Sequence, residues 1–170
     1  TTVHLGAQGT RYDVIIRNGH IVDGTGNPWF AGDVAIANGR IAAIGRLAGT
    51  QAARTIDATG LVVSPGFIDL HNHSDGWLLR ETNFVPKTAQ GFTTEVLMAD
   101  GISYAPVLAH NASEWIHYLR SLNGLRQDEY EGWNSLGDYL DRLDRRTAQN
   151  TAVHVPYANL RVNAMGWRRG

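Results

Sequence analysis

From about residue 64 onward, strand-like and helix-like patterns alternate three times, and that alternation constrains the fold more than any other feature of the sequence. Phe67, Ile68 and Leu70 form a short apolar run launched from Pro65-Gly66, predicted to be a buried strand; residues from about 82 to 90 have helical character and are followed by Gly91. Thr93-Thr94-Glu95-Val96-Leu97-Met98 is a second predicted buried strand, and the spacing of Leu108, Ala112, Trp115, Ile116 and Leu119 predicts a helix over 105–122. A polar loop over 123–134 leads to Ser135, a predicted N-cap for a helix carrying Leu136, Tyr139, Leu140 and Leu143, after which Thr151-Ala152-Val153-His154-Val155 supplies a third strand. Alternation of this kind argues for an α/β fold with a parallel sheet or barrel whose chemistry lies at the strand C-termini. A (β/α)8 barrel takes roughly 250 residues, and three parallel strands cannot close one and leave an open apolar edge. The expectation is therefore the first three βα units of a TIM-like barrel over residues 64–170, completed by another chain or by residues not present in this one.

Before residue 64 the pattern is different. Asn18-Gly19 joins two β-rich runs within 12–23, and Asn38-Gly39 joins 33–37 to 40–44. Asn-Gly is a strong hairpin signal because both residues of the turn must take positive φ. With Thr55-Ile56-Asp57 and Leu61-Val62-Val63, this predicts a small antiparallel β module over residues 1–63, too small to be comfortable alone. The glycine-rich run Asp23-Gly24-Thr25-Gly26-Asn27-Pro28 opens no helix, so it reads as a turn and not as a phosphate loop. The apolar fraction of 43% is enough for a core, and the net charge of −1 gives no reason to expect nucleic acid or an anionic membrane as partner. The absence of cysteine excludes disulfides and thiolate ligands. Neither a long apolar run nor a basic-then-apolar leader is visible, so no membrane span or signal peptide is predicted and a cytoplasmic location is expected.

The first strand of the second half ends in His71-Asn72-His73. Side chains alternate along a strand, so the two imidazoles project to one side, where they make half of a metal site. Taken alone, His-x-His is equally a pair of surface histidines. Asp69 and Asp75 flank the pair and could accept hydrogen bonds that orient the rings, Asp75 equally facing solvent. Asp100, at the end of the second strand, reads by itself as a cap of the Gly101 turn. His110 and His117 share a helix face and read as surface residues, and Lys87 as a solvated helix residue. Tyr130 and Trp133 lie in or beside the long loop, where they could close over a substrate. His154 ends the third strand, near where substrate would lie, with a satisfied strand-end polar group as its simpler role.

Three segments together resemble the metal-dependent amidohydrolase superfamily, and within it the D-aminoacylase (N-acyl-D-amino-acid deacylase) group: Pro65-Gly66-Phe67-Ile68-Asp69-Leu70-His71-Asn72-His73-Ser74-Asp75, Gln90-Gly91-Phe92-Thr93-Thr94-Glu95-Val96, and Gly101-Ile102-Ser103-Tyr104-Ala105-Pro106. The runs Trp133-Asn134-Ser135-Leu136-Gly137-Asp138-Tyr139-Leu140 and Asn159-Leu160-Arg161 also match. The resemblance implies a metal-bearing (β/α)8 barrel flanked by a β-sandwich built from both chain ends, of which residues 1–63 would be the N-terminal part. It implies His71 and His73 as metal ligands, and Asp100 at a position held by a metal-binding Cys in typical D-aminoacylases and by an acidic residue in some relatives. A carboxylate there is a harder ligand than a thiolate, which keeps manganese or cobalt open beside zinc, as one or two ions. Tyr157 falls where relatives often carry His, so His154 and Tyr157 become candidates for substrate contact, with packing the simpler role for Tyr157. The implied reaction is hydrolysis of an N-acyl amino acid or small peptide-like amide by metal-activated water. No proton-shuttle aspartate is recognisable, so a second polypeptide completing the barrel is expected and the chain alone is expected to be inactive. A cyclic-amide hydrolase of the hydantoinase or dihydropyrimidinase kind and a non-catalytic assembly subunit are the alternative readings.

Overall fold

A computed structural model of the chain describes residues 11–168, which divide into two compact units, one up to Pro65 and one from Gly66 on. The first holds the strands β1 (Arg11–Ile21), β2 (Phe30–Ala37), β3 (Arg40–Gly45), β4 (Gln51–Asp57) and β5 (Val62–Val63), in the order β3-β2-β1-β4, with β5 also paired to β1. Asn38 and Gly39 take φ of 52° and 71°, the geometry of a two-residue hairpin turn between β2 and β3. Asn18-Gly19 does not turn the chain. β1 runs straight through it as one strand of 11 residues, with a bulge between Ile16 and Gly19. Only Asn18 has positive φ, at 61°, and its N–H is held by the buried Asp33 carboxylate at 2.9 Å. Gly19 is needed for close approach, since a Cβ there would lie 2.5 Å from Val63 Cγ2. The module is also mixed where an antiparallel one was expected, because β1 pairs parallel with both β4 and β5.

The second unit holds a parallel sheet in the order β6-β7-β8: β6 (Phe67–Asp69), β7 (Phe92–Leu97) and β8 (Asn150–Val153). The helices are α1 (Trp77–Arg80), α2 (Val85–Thr88), α3 (Ala112–Asn123), α4 (Leu136–Leu143) and α5 (Tyr157–Met165). Leu78, Leu97, Tyr104, Trp115, Leu119, Tyr139 and Leu143 form one buried core. Ser135 caps α4 as expected, and Asp138 returns the bond in a reciprocal capping box. The helix expected from residue 105 starts only at 112. The preceding stretch is irregular and contains a cis Ala105-Pro106 bond, and its amides are taken from outside a helix: Val107 N–H by Asn134 O at 3.1 Å and Leu108 N–H by Asn111 Oδ1 at 2.8 Å. Among the described residues, no helix is long and apolar enough to cross a membrane.

The apolar run of β6 is in place but is not buried. Phe67, Ile68 and Leu70 are 54%, 60% and 65% exposed, because β6 is an edge strand with β7 as its single neighbour in the sheet.

Candidate metal centre

Parallel pairing brings the C-terminal ends of all three strands to one edge of the sheet, and there the site is assembled. His71 and His73 follow β6. Asn72 between them points the other way, is buried, and donates from Nδ2 to Val96 O of β7 at 3.3 Å, while its Oδ1 accepts from Ser74 N–H at 3.1 Å. Asn72 thereby extends the sheet pairing past the end of the strand and leaves both imidazoles on the open side. Their ring centroids are 5.8 Å apart.

Asp100 approaches from the loop after β7. Its Oδ1 lies 3.5 Å from His71 Nε2 and its Oδ2 3.3 Å from His73 Nε2. The three donor atoms lie within 4.8 Å of one another, the one such convergence among the described residues. The backbone that presents Asp100 is unusual: Met98, Asp100 and Gly101 take φ of 67°, 59° and 72°. For non-glycine residues the left-handed region costs of order 1 kcal/mol each, and such strain gathers at functional sites. The carboxylate points at the imidazoles, whereas a simple turn cap would turn it back onto the chain.

Two imidazoles and one carboxylate suit a first-row divalent ion, with nitrogen and oxygen donors and positions left open for water or substrate. His73 presents Nε2 to Asp100, while its Nδ1 is buried and has no hydrogen-bond partner among the described residues.

The flanking carboxylates do not touch the imidazoles. Asp69 Oδ1 accepts from the backbone N–H of His71 at 3.2 Å, and its Oδ2 is ion-paired with Lys87, which is therefore not the solvated residue expected. Asp75 is fully buried, with Oδ1 accepting from Ser103 Oγ at 2.7 Å and Oδ2 from Asn123 Nδ2 at 3.0 Å; its carbonyl accepts from Tyr139 at 2.8 Å. Burial pushes the Asp75 carboxyl above its ordinary range, against the pull of the Ser103 hydrogen bond. Gly76 N–H bonds Asn123 O, and a Cβ on Gly76 would sit 2.4 Å from that oxygen.

His154 lies at the same edge, its Nε2 3.1 Å from Leu70 O, whereas Tyr157 is exposed at the start of α5 and packs less than expected. His110 and His117 are exposed, as read from the sequence. Trp133 belongs to the core, its indole N–H bonded to Tyr104 O at 3.0 Å, with Tyr130 packed on it edge to face at 4.7 Å; Trp133 is thus no part of a lid. Asn72, Ser103 and Asn159 stand in the sequence only as parts of matching runs with no role of their own, and Asn123 is not marked at all, because a polar residue that serves as an internal anchor carries no periodicity to mark it.

The model for a family described as amidohydrolases matches residues 54–168. Among curated relatives, the D-aminoacylase of Alcaligenes xylosoxydans xylosoxydans is 37% identical over 91% of this chain and 31% of its own length. The N-acyl-D-aspartate deacylase of the same organism is 46% identical over 90% of this chain and 30% of its own. Among solved structures, N-acyl-D-glutamate deacylase from Bordetella bronchiseptica, complexed with zinc and a phosphonate inhibitor that mimics the tetrahedral intermediate, superposes with a TM-score of 0.75 at 35% identity, covering 92% of this chain and 32% of that one. The chain thus spans about a third of the length of the relatives it matches.

Proposed function

The chain belongs to the amidohydrolase family, and from that premise we propose that it carries one part of the metal centre of an N-acyl-D-amino-acid deacylase-like hydrolase. The observation that carries this reading is the convergence of His71, His73 and Asp100 at the C-terminal edge of a parallel sheet. His71 and His73 would hold zinc, or manganese or cobalt, as neutral imidazoles, and Asp100 would supply the anionic oxygen that a thiolate supplies elsewhere in the family. A bound divalent ion supplies Lewis acidity toward an amide carbonyl and lowers the pKa of water. Asp69, bonded to the His71 amide, fixes where that residue starts. His154, at the same edge, would face the acyl amide. Tyr157, exposed beside Gly101 at the start of α5, would contact substrate.

In this reading residues up to 63 are part of a β-sandwich and residues from 64 on are the first βα units of a metal-dependent barrel. The exposure of Phe67, Ile68 and Leu70 supports further strands covering them, and proton transfer to the leaving amine falls to a group beyond the described residues. The names of the relatives favour a linear N-acyl-D-amino acid over a cyclic amide.

Calorimetric titration of the metal-free protein with zinc, followed by hydrolysis assays on paired N-acetyl-D- and N-acetyl-L-amino acids, tests the proposal. Stoichiometric zinc binding lost in H71A/H73A, with turnover of D-substrates by the metal-loaded protein and any completing chain, is the expected result. Zinc binding unchanged by the double substitution would refute the site, and binding without turnover would favour the assembly-subunit reading.

A further inference from the structure

The two loops that carry the metal donors are joined by a buried hydrogen bond between side chains, and the same Asp75 carboxylate also accepts from the backbone N–H of Met98. Asp75 stands two residues past His73 and Ser103 three residues past Asp100, and the 2.7 Å contact from Ser103 Oγ to Asp75 Oδ1 runs between them with both residues fully buried. A hydroxyl donating to a carboxylate in a water-free setting is among the stronger hydrogen bonds a protein makes. Each end of the link is anchored. Asp75 is held from α3 by Asn123 and from α4 by Tyr139. Ser103 is held from α5 by the Asn159 carboxamide, which accepts from Ser103 N–H at 2.9 Å and donates to Ser103 O at 2.7 Å. Asn159 is itself fully buried.

Between Met98 and Ser103 the chain arches through the left-handed residues that present Asp100. A strained arch keeps its shape only when both ends are fixed. Its first end is fixed by the buried Leu97 and Met98, and its second by Ser103. With the first end also tied to Asp75 through the Met98 N–H, the placement of the Asp100 carboxylate against the His73 ring depends on how the second end, Ser103, meets Asp75. Metal–ligand distances tolerate only about 0.2 Å, so slack in that link reaches the donor set directly.

We propose that Ser103 is a positioning residue of the metal centre, its hydroxyl clamping the Asp100 arch to the His71–His73 loop through Asp75. The proposal rests on the reading of His71, His73 and Asp100 as ligands, and deepens it by naming what holds the two halves in register.

The test uses the full chain and cobalt(II) alone, with affinity and the visible d–d absorption as readouts. S103A should lower cobalt affinity about tenfold or more, the usual effect of losing a group that orients ligands, and should change the band shape. Y139F removes a bond to the same Asp75 but leaves the Ser103 link intact; it should lower the melting temperature and leave affinity within about twofold of wild type, well short of that tenfold loss. If S103A does not fold, S103T and S103V, equal in shape and differing only by the hydroxyl, read the same link: S103T should bind cobalt more tightly than S103V. Wild-type affinity and spectrum in S103A, equal binding by S103T and S103V, or a loss in Y139F matching that in S103A would overturn the proposal. A wild-type chain that binds no cobalt would instead remove the metal-centre reading, and this inference with it.

Discussion

At the scale of single residues, the two imidazoles and the carboxylate of the candidate centre are held by different means. His71 and His73 face one way because alternation along an extended chain demands it and because Asn72 is pinned to β7. Asp100 is presented by a backbone at φ 59°, a conformation that Asp and Asn tolerate and β-branched residues do not. D100N should therefore leave unfolding free energy within about 0.5 kcal/mol of wild type, while removing the anionic donor and with it most metal affinity. D100V should cost about 1–3 kcal/mol. Denaturant unfolding of the metal-free protein beside zinc titration checks both, and a stable D100V would show that the arch is not strained.

Elements in this chain are set by their ends as much as by their apolar faces. α4 begins where Ser135 Oγ accepts from Asp138 N–H at 3.1 Å and Asp138 Oδ2 accepts from Ser135 N–H at 3.0 Å. S135A should cost about 1 kcal/mol, read as a lowered melting temperature with little change in metal affinity, since the cap touches neither donor loop. The Ser-x-x-Asp pattern and the apolar spacing made this helix legible from sequence alone. The stretch 105–111 was not legible, because Leu108 and Ala112 fit a helical period. Asn111, Asn134 and Asn159 instead supply the partners that let the backbone there leave the helix. Asn18-Gly19 failed for a related reason: a residue in the left-handed region serves a bulge as well as a turn, and the choice was made by pairing of β1 with β2, β4 and β5.

For the molecule as a whole, the buried aromatic hydroxyls and the uncovered edge strand give opposite handles. Burial raises the Tyr104 phenol to about 12, and burial together with the nearby Asp75 charge holds that of Tyr139 well above the ordinary phenol range. A phenol whose folded pKa lies above its unfolded value near 10 favours the fold while protonated. Stability should thus hold up to about pH 10 and fall as pH rises toward 12. Denaturant midpoints measured across that range should drop, less steeply in Y104F. A flat profile would contradict the burial of these hydroxyls.

The exposed row on β6 should make the isolated chain self-associate with rising concentration, and I68K should reduce that association in light scattering. Equal scattering by the two proteins would place the contact elsewhere. That row also marks the division between sequence and structure. Alternation of strand and helix, the His-x-His spacing and the capping box are local patterns, so the sequence by itself determined the parallel sheet, the shared side of the two imidazoles and the start of α4. Where Asp100 points, that Asp75 is a buried junction and not a surface or ring-orienting carboxylate, and that Lys87 pairs with Asp69 depend on which loops meet. Those meetings are fixed by strand register and by asparagines and a serine that satisfy buried backbone from distant positions. Such contacts span tens of residues and obey no local period, so only the tertiary structure decided them.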